Sequence, residues 1–216
     1  MTEPRIRPYR AEDRADVRRI CVETGYLGDP VWWLYPDAES FADLFCTWYV
    51  DHEPEHVWVV DDGTGRARGY LLGATDTRAV PSPATVAARH VLGRALALRA
   101  GTAPFWWRAV GDVVRAGGQV DHDVDLDRWP AHLHIDLLPE VRGRGLGRRL
   151  LATWLEVLDD LDVPGVHVST FAENATARRF FAGAGFTGLG PARPAPGFRS
   201  RDGARLHTVA LVRDLP

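Results

Sequence analysis

The 216-residue sequence contains no lysine, so all 26 of its basic residues are arginine. This absence excludes a lysine nucleophile or Schiff base, and it indicates a bias in coding more than a function. Cysteine is almost as scarce. Cys21 and Cys46 have neither a CxxC motif nor metal-ligand spacing, so we expect two buried free thiols and no metal site.

Long apolar runs are also missing. The N-terminus has no apolar region typical of a secretory signal, and no uncharged run is long enough to cross a membrane. The net charge of -3 argues against a nucleic-acid partner. We therefore expect a cytoplasmic protein that acts on neither membranes nor nucleic acids.

The composition that remains is that of a globular protein, with 45% hydrophobic and 25% charged residues. Strand and helix patterns alternate, which predicts one α/β domain over residues 1–216. We predict strands at 5–10, 131–138, 165–171, 186–190 and 205–215, a hairpin over 56–76, and helices at 11–25, 38–51, 143–161 and 174–185. Residues 81–130 break this alternation and predict a helical insertion with helices at 82–100 and 103–118, and the Pro/Gly-rich segment 191–203 predicts a loop.

The stretch LPEVRGRGLGRRLL, residues 138–151, places three glycines between a predicted strand and a predicted helix. Such a turn presents unpaired N–H groups at a helix N-terminus, where the helix dipole also favours an anion. Arg142, Arg144 and Arg148 add positive charge. The stretch fits neither a P-loop, which needs Gly-Lys-Ser/Thr, nor a dinucleotide fingerprint. A phosphate site and a simple glycine-rich turn with solvated arginines both remain open from these residues alone.

Two motifs together resemble the signatures of the GNAT-type N-acetyltransferases. Arg142, Gly145 and Gly147 match the acyl-CoA signature, and the downstream ENATARRFFAGAGF matches the second one, in which Asn174 opens a helix that ends in Gly185–Phe186. The resemblance implies a mixed α/β fold whose strands 131–138 and 165–171 splay apart, with helices on both sides. It implies acetyl-CoA as cosubstrate, with its pyrophosphate on the glycine-rich loop. It also implies that the pantetheine arm lies between the two strands and bonds to backbone near Leu137 and Leu138, whose N–H groups would polarise the thioester carbonyl. The cofactor-binding residues implied are Leu137, Leu138, Arg142, Gly143, Arg144, Gly145, Leu146, Gly147, Arg148, Asn174 and Phe181.

A closer resemblance extends along most of the chain. IRPYRAEDRADVRRIC, GYLLGATD, the tryptophan-containing insertion and the HID of strand 131–138 are similar to the acetyltransferase-like C-terminal domain of O-GlcNAcase and its free-standing bacterial relatives. The resemblance leaves no part of the chain for a glycoside hydrolase domain.

Strand 131–138 carries the candidate catalytic residues. Side chains alternate along a strand, so His132, His134 and Asp136 share one face. Three polar side chains are unusual on a central strand that pairs in parallel. Asp136 or His134 is therefore a candidate general base for an amine acceptor, and a polar network that only satisfies loops is the alternative.

The second signature departs from the family at one position. Many family members carry there a tyrosine that protonates the departing thiolate, and the matching residue is Phe181. This departure keeps a second hypothesis open, a pseudo-acetyltransferase that binds acyl-CoA or a peptide without turnover. Asp76 could face the same cleft or cap a turn, and Trp32 and Trp33 are candidates for an apolar acceptor wall.

Two classes of acceptor are compatible with these residues. An amine-bearing small molecule and a protein or peptide both fit, and the protein is expected to be a monomer or a homodimer. Acidic residues in 121–127 are compatible with a cationic acceptor, although a solvated loop is the more common explanation of such a run.

Overall fold

The computed structural model describes residues 3–216, apart from the side chains of Pro83, His90, Val91 and Leu92. Its strands are β1 (Arg5–Pro8), β2 (Val57–Asp61), β3 (Ala67–Ala74), β4 (Ala131–Leu137), β5 (Gly165–Phe171), β6 (Thr187–Arg199) and β7 (Arg205–Asp214). Within residues 3–216 these seven strands form one sheet in the order β1-β2-β3-β4-β5-β7-β6. The pair of β4 and β5 is parallel and the other neighbours are antiparallel, so the predicted mixed sheet is confirmed.

Helices cover both faces of this sheet. They are α1 (Arg14–Thr24), α2 (Ala38–Phe45), α3 (Thr47–His52), α4 (Pro83–Arg94), α5 (Ala103–Arg115), α6 (Leu146–Asp160) and α7 (Ala175–Ala182). None of the helices in the described part of the chain combines the length and apolar character needed to span a bilayer.

Two apolar clusters lie on opposite faces of the sheet because successive strand side chains alternate. The α1 face is covered by α1, α2, α3 and α5, and the α6 face by α6 and α7. The indole of Trp154 on α6 is buried against β3 at Gly73, where a Cβ would lie 2.7 Å from the ring. A glycine at this position therefore lets α6 approach the sheet closely.

Two predicted helices are shorter than their sequence pattern. The segment 38–51 is not one helix, because the backbone leaves the helical region at Cys46 (φ -135°) and α3 starts afresh. With this break, Phe41 of α2 and Tyr49 of α3 are both buried on the α1 face. The segment 82–100 has its predicted cap, Ser82, but it ends at Arg94, before the left-handed Ala95.

The predicted loop 191–203 is wrong for most of its length. Residues 187–199 form the edge strand β6, where proline is tolerated because one side of the strand has no ladder to complete. The buried carboxylate of Asp112 on α5 accepts hydrogen bonds from the Gly197 N–H (3.0 Å) and the Arg199 guanidinium (2.7 and 2.8 Å). Arg205 of β7 pairs with the same carboxylate at 3.1 Å. These tertiary bonds override the local Pro/Gly signal.

The βαβ unit around the two motifs follows the sequence prediction closely. Strand β5 has the predicted bounds, and β4 ends one residue early. Asn174 caps α7 as predicted, because its side-chain oxygen accepts a hydrogen bond from the Ala177 N–H at 3.0 Å. The predicted end at Gly185 is wrong: α7 ends at Ala182 with Gly183 as its cap, and Gly185 (φ +84°) lies in the turn that follows.

Candidate cofactor cleft and acceptor site

The strands β4 and β5 pair only at their first residues. Ala131 lies opposite Val166 and His132 opposite His167, and beyond these two pairs the strands diverge. Each strand has seven residues, so most of the facing edges are unpaired with each other. The divergence leaves a wedge-shaped cleft in the middle of the sheet, as the splayed strands of the resemblance require.

The backbone of β4 presents alternate residues to this cleft. The Leu138 N–H donates to the carbonyl oxygen of Arg68 at 2.8 Å, so it points toward β3. Along an antiparallel pair, the N–H and C=O groups of successive residues point to opposite sides. Those of Ile135 and Leu137 therefore point toward the diverged β5. The expectation that Leu138 offers its N–H to the cofactor needs correction, since β3 already uses that group.

The glycine-rich turn follows directly. Residues Pro139–Val141 form one 3-10 turn, and Gly143 (φ +73°) and Gly145 (φ +75°) adopt the left-handed conformation that favours glycine. Helix α6 then starts at Leu146, and its first amides lack partners inside the helix. At both left-handed glycines a Cβ would meet no atom within 4 Å, so the turn is open to a ligand. This arrangement fits a pyrophosphate.

The three arginines that were predicted to add positive charge at the glycine-rich turn differ in role. Arg142 donates to two carbonyl oxygens, from Nε to Leu137 (2.7 Å) and from Nη2 to Gly28 (2.6 Å). Its guanidinium thus braces the end of β4 against the loop between α1 and α2. Arg144 and Arg148 are exposed beside the start of α6. The positive charge available to an anion here comes from these two residues and from the helix dipole.

Helix α7 closes one side of the cofactor cleft. The ring of Phe180 approaches the position of a Cβ at Gly147 to 3.4 Å, so α6 and α7 meet at the glycine-rich turn. Phe181 is buried in the apolar cluster of the α6 face and contacts the ring of Phe186 at 5.3 Å between centroids. Sequence reasoning missed Phe180 because adjacent phenylalanines give no signal as to which one contacts α6.

Asp136 lies on the α1 face of β4, near the end of the strand. Its carboxyl group is half-buried, and Oδ2 accepts a hydrogen bond from the hydroxyl of Tyr70 at 2.7 Å. Burial raises the pKa of Asp136 to about 6, although the hydrogen bond from Tyr70, the nearby hydroxyl of Thr24 and the charge of Arg142 act in the opposite direction. A carboxyl group with this pKa can take up a proton near neutral pH.

His132 belongs to a closed hydrogen-bond chain. Thr77 has one hydroxyl proton and donates it to the carbonyl oxygen of Pro130 at 2.7 Å. It must therefore accept from His132 Nδ1, also at 2.7 Å, which leaves Nε2 to accept from the buried Tyr49 hydroxyl. Burial lowers the pKa of His132, so the ring is neutral with both nitrogens occupied. For His132, this supports the structural alternative.

His134 lies between these two groups on the same face. Its ring contacts Tyr49 edge-on at 5.2 Å and His132 at 6.0 Å between centroids. Burial, followed by the nearby His167, lowers the pKa of His134 to about 4. The imidazole is thus uncharged at neutral pH but weakly basic. No group of three or more His, Cys, Asp or Glu side chains in the part of the chain that the structure describes is arranged to bind a metal ion.

Within the described residues, the contacts found for the remaining candidates do not involve Asp136 or His134. Asp76 caps the short turn Thr77–Ala79 by accepting from the Arg78 N–H at 3.0 Å, which is the alternative of a turn cap. Trp33 packs against Tyr26 and lies under the guanidinium of Arg201, while Trp32 is 52% exposed. Sequence reasoning did not identify Tyr70 and Tyr49, which are the hydrogen-bond partners of Asp136 and His132.

Comparison with known proteins tests the resemblance. The sequence model of the Acetyltransferase (GNAT) family matches residues 22–186, well over half of the chain. The solved structure of SsHAT is 30% identical and similar over 99% of this chain and 98% of its own, with a TM-score of 0.68.

Two more distant structures share the fold. One is an N-acetyltransferase from Staphylococcus aureus Mu50, with 12% identity, a TM-score of 0.61 and 100% of both chains covered. The other is yncA from Salmonella typhimurium, solved with its cofactor acetyl-CoA, with 16% identity, a TM-score of 0.58 and coverage of 100% of this chain and 95% of its own. The family match and the likeness to SsHAT show that the chain belongs to the GNAT family of acetyltransferases.

Proposed function

We propose that this protein transfers an acetyl group from acetyl-CoA, the cosubstrate of its family, directly to the nitrogen of an amine. The observation that carries the proposal is the position of Asp136. Its half-buried carboxyl lies near the end of β4, just before the glycine-rich turn and on the edge of the sheet that β5 leaves open. A proton acceptor, an open strand edge and an anion-binding turn thus occur within one short stretch of chain.

The chain offers a matching surface for each part of the cofactor. The amides at the start of α6, with Arg144 and Arg148, suit the pyrophosphate, and the diverged edge at Ile135 and Leu137 suits the amide-bearing pantetheine arm. Arg142 links these two parts of the surface, because its Nε donates to the carbonyl oxygen of Leu137. When bound, acetyl-CoA supplies a thioester carbonyl that an amine can attack.

Asp136 supplies the base. An alkylammonium ion must lose a proton before its nitrogen can attack, and above a pH of about 6 the carboxyl of Asp136 is ionised and can accept that proton. His134 faces the same side, but its pKa of about 4 makes it the weaker base. We therefore assign the base to Asp136 and place His134 in the wall of the acceptor site.

The departing thiolate has to be protonated by another source. Positions 180 and 181 of α7 are both phenylalanine, so neither can donate a proton. The hydroxyls of Tyr49 and Tyr70 already donate to His132 and Asp136. We assign this proton to solvent that enters the cleft, which lets the enzyme turn over without a tyrosine acid.

The acceptor and the setting are also part of the proposal. The acceptor is an amine-bearing small molecule or a peptide, and the wall formed by Tyr26, Trp33 and Arg201 supports an acceptor with an apolar portion. The sequence resemblance supports a place beside the acetyltransferase-like domain of O-GlcNAcase. We further propose a single domain over residues 1–216, cytoplasmic and either monomeric or dimeric.

The test combines calorimetry with turnover. Calorimetric titration measures acetyl-CoA binding, and release of the CoA thiol is followed with a panel of amines. We expect Asp136→Asn to keep the affinity for acetyl-CoA and to lower kcat/KM by about 10²- to 10⁴-fold. Asp76→Asn is the matched control, since asparagine caps a turn as well as aspartate and should leave turnover unchanged.

Other results would reject the proposal in different ways. Binding of acetyl-CoA without turnover on any amine would identify a pseudo-acetyltransferase. Absence of binding would reduce the glycine-rich stretch to a turn. Full activity of Asp136→Asn would show that another group is the base.

A further inference from the structure

The buried Tyr70 lies directly opposite Asp136 on the neighbouring strand. The two residues are Cα partners in the antiparallel register of β3 and β4, and the side chain of Tyr70 is 1% exposed. We propose that Tyr70 is a positioning residue for the base: its hydroxyl holds Oδ2 of Asp136, which leaves Oδ1 to take the proton from the acceptor amine. This inference rests on the proposed function.

The backbone fixes the geometry of this pair. The bond from the Leu138 N–H to the Arg68 carbonyl oxygen continues the register, so Asp136 and Tyr70 form a pair whose backbone groups bond to each other. Both side chains therefore start from strands locked side by side. The 2.7 Å bond between the Tyr70 hydroxyl and Oδ2 then fixes the rotation of the carboxyl group. A base held in this way meets its substrate in one orientation.

Tyr70 is the hydroxyl with a proton available for this bond. The Thr24 hydroxyl also approaches Asp136, but its proton goes to the carbonyl oxygen of Ile20 at 2.7 Å. The phenol can only donate to an ionised carboxylate, because that group is an acceptor alone. Burial raises the pKa of Tyr70 well above its usual value, so the phenol keeps its proton.

The groups around the Asp136 carboxyl determine how its pKa should change when the bond from Tyr70 is lost. Asp136 is faced by Cys21 and Thr24 of α1, Tyr70 of β3, and Arg142 after β4, and Cys46 between α2 and α3 lies close to Cys21 and Tyr70. Both cysteines are buried, and the neighbouring Cys46 together with burial raises the pKa of the Cys21 thiol. The ionised form of Asp136 is therefore favoured by the Tyr70 hydroxyl and the Arg142 guanidinium against the effect of burial. Removing the Tyr70 hydroxyl should raise the pKa of Asp136.

The decisive measurement is a carbon-13 NMR titration of the Asp136 carboxyl in the protein alone, with Asp136→Asn to assign the signal. We expect Tyr70→Phe to raise the pKa of Asp136 by about one unit, because hydrogen bonds to charged groups are among the stronger ones. Tyr49→Phe is the matched control: it removes a buried tyrosine hydroxyl on the same sheet face that donates to His132, and it should leave this pKa unchanged. Acetyl-CoA affinity should not change in Tyr70→Phe.

Kinetics provide the second measurement. The acidic limb of kcat/KM should move to higher pH in Tyr70→Phe by the same amount, and it should stay in place in Tyr49→Phe whatever the level of activity. A purely structural role for Tyr70 would lower activity without moving this limb. An unmoved limb together with an unmoved carboxyl titration would overturn the inference.

Failure of the proposed function gives a different pattern. If Asp136→Asn retains full turnover, the assignment of the base fails, whereas the titration shift in Tyr70→Phe still reports the hydrogen bond. If Tyr70→Phe does not fold, proton NMR of the wild type and of Asp136→Asn tests the hydrogen bond instead. The Tyr70 hydroxyl proton of the wild type should appear downfield and move upfield in Asp136→Asn, because a neutral amide is the weaker acceptor. Absence of that shift would contradict the bond on which the inference depends.

Discussion

Polar side chains lie on the same face at both ends of strand β4, but the two ends differ in how completely these side chains are hydrogen-bonded. At the closed end, where β4 still pairs with β5, both ring nitrogens of His132 are hydrogen-bonded, to Tyr49 and Thr77. At the open end, where β5 has diverged, Asp136 has one carboxyl oxygen on Tyr70 and remains half-buried.

The difference lies in how completely each polar group is satisfied. A buried group with all its partners rigidifies the fold and has no capacity left for a substrate. A half-buried carboxyl with only one oxygen held by a described side chain keeps that capacity. Partner count along one strand thus separates a structural histidine from a candidate base, although the sequence presents them as equals.

The largest expected effect tests the closed end. His132→Leu removes the acceptor of Tyr49 and the donor to Thr77, so we expect a loss of about 2–4 kcal/mol in unfolding free energy, measured by chemical denaturation. His134→Leu is the matched change two residues along. The described residues give His134 ring contacts but no hydrogen bond, so its loss should be below about 1 kcal/mol.

A double variant sharpens this result. In His132→Leu/Tyr49→Phe the unpaired phenol is gone, so the double variant should regain part of the unfolding free energy that His132→Leu loses. The double-mutant cycle should show a coupling of about 1 kcal/mol or more. Equal costs for His132→Leu and His134→Leu would remove the distinction between the two ends.

Sequence reasoning identified the polar side chains that share one face of β4 but not their hydrogen-bond partners. Alternation placed His132, His134 and Asp136 together, and the cap at Asn174 followed from local backbone chemistry. The partner of Asp136 depends on the register of β3 against β4. That register pairs residues 66 positions apart in the chain, and no local signal in GYLLG reveals it.

The same limit explains the errors in the fold. Proline and glycine in 191–203 predict a loop, yet this segment becomes a strand because Asp112, more than 80 residues upstream, bonds to Gly197 and Arg199. The N–H of Leu138 is not available to the cofactor, because it donates to the carbonyl oxygen of Arg68 on β3. Local conformation is encoded locally, whereas the use of each polar group is decided by tertiary neighbours.

The second prediction concerns the pH dependence of stability at the open end. The pKa of Asp136 is about 6 in the folded protein and lies near 3.9 in an unfolded chain. Between these values the folded state binds more protons, so its stability falls as pH rises from about 4 to about 6 and stays reduced above that. Asp136→Asn lacks this cost, and asparagine can still accept from Tyr70. We expect it to match the wild type near pH 4 and to exceed it by about 1–2 kcal/mol at pH 8.

Asp62→Asn is the control of opposite sign. Hydrogen bonds from Thr64 and Arg68 outweigh burial and lower the pKa of Asp62 to about 2, so its ionised form stabilises the folded state at neutral pH. That variant should therefore be less stable than the wild type at pH 8. A pH-independent difference between Asp136→Asn and the wild type would contradict the idea that the open end carries a costly carboxylate.

The smallest effect extends the comparison from β4 into the glycine-rich turn. Gly145→Ala and Gly203→Ala each place a Cβ at a left-handed position (φ +75° and +88°) with no atom within 4 Å, so both should lose about 1 kcal/mol in stability from backbone strain alone. Gly145 precedes the free amides of α6, whereas Gly203 lies in the turn between β6 and β7. Only Gly145→Ala should therefore weaken acetyl-CoA binding, by about tenfold if one amide contact is lost. Equal calorimetric affinities in the two variants would mean that the cofactor does not use the backbone of this turn, and the open end would then be no more than a gap in the sheet.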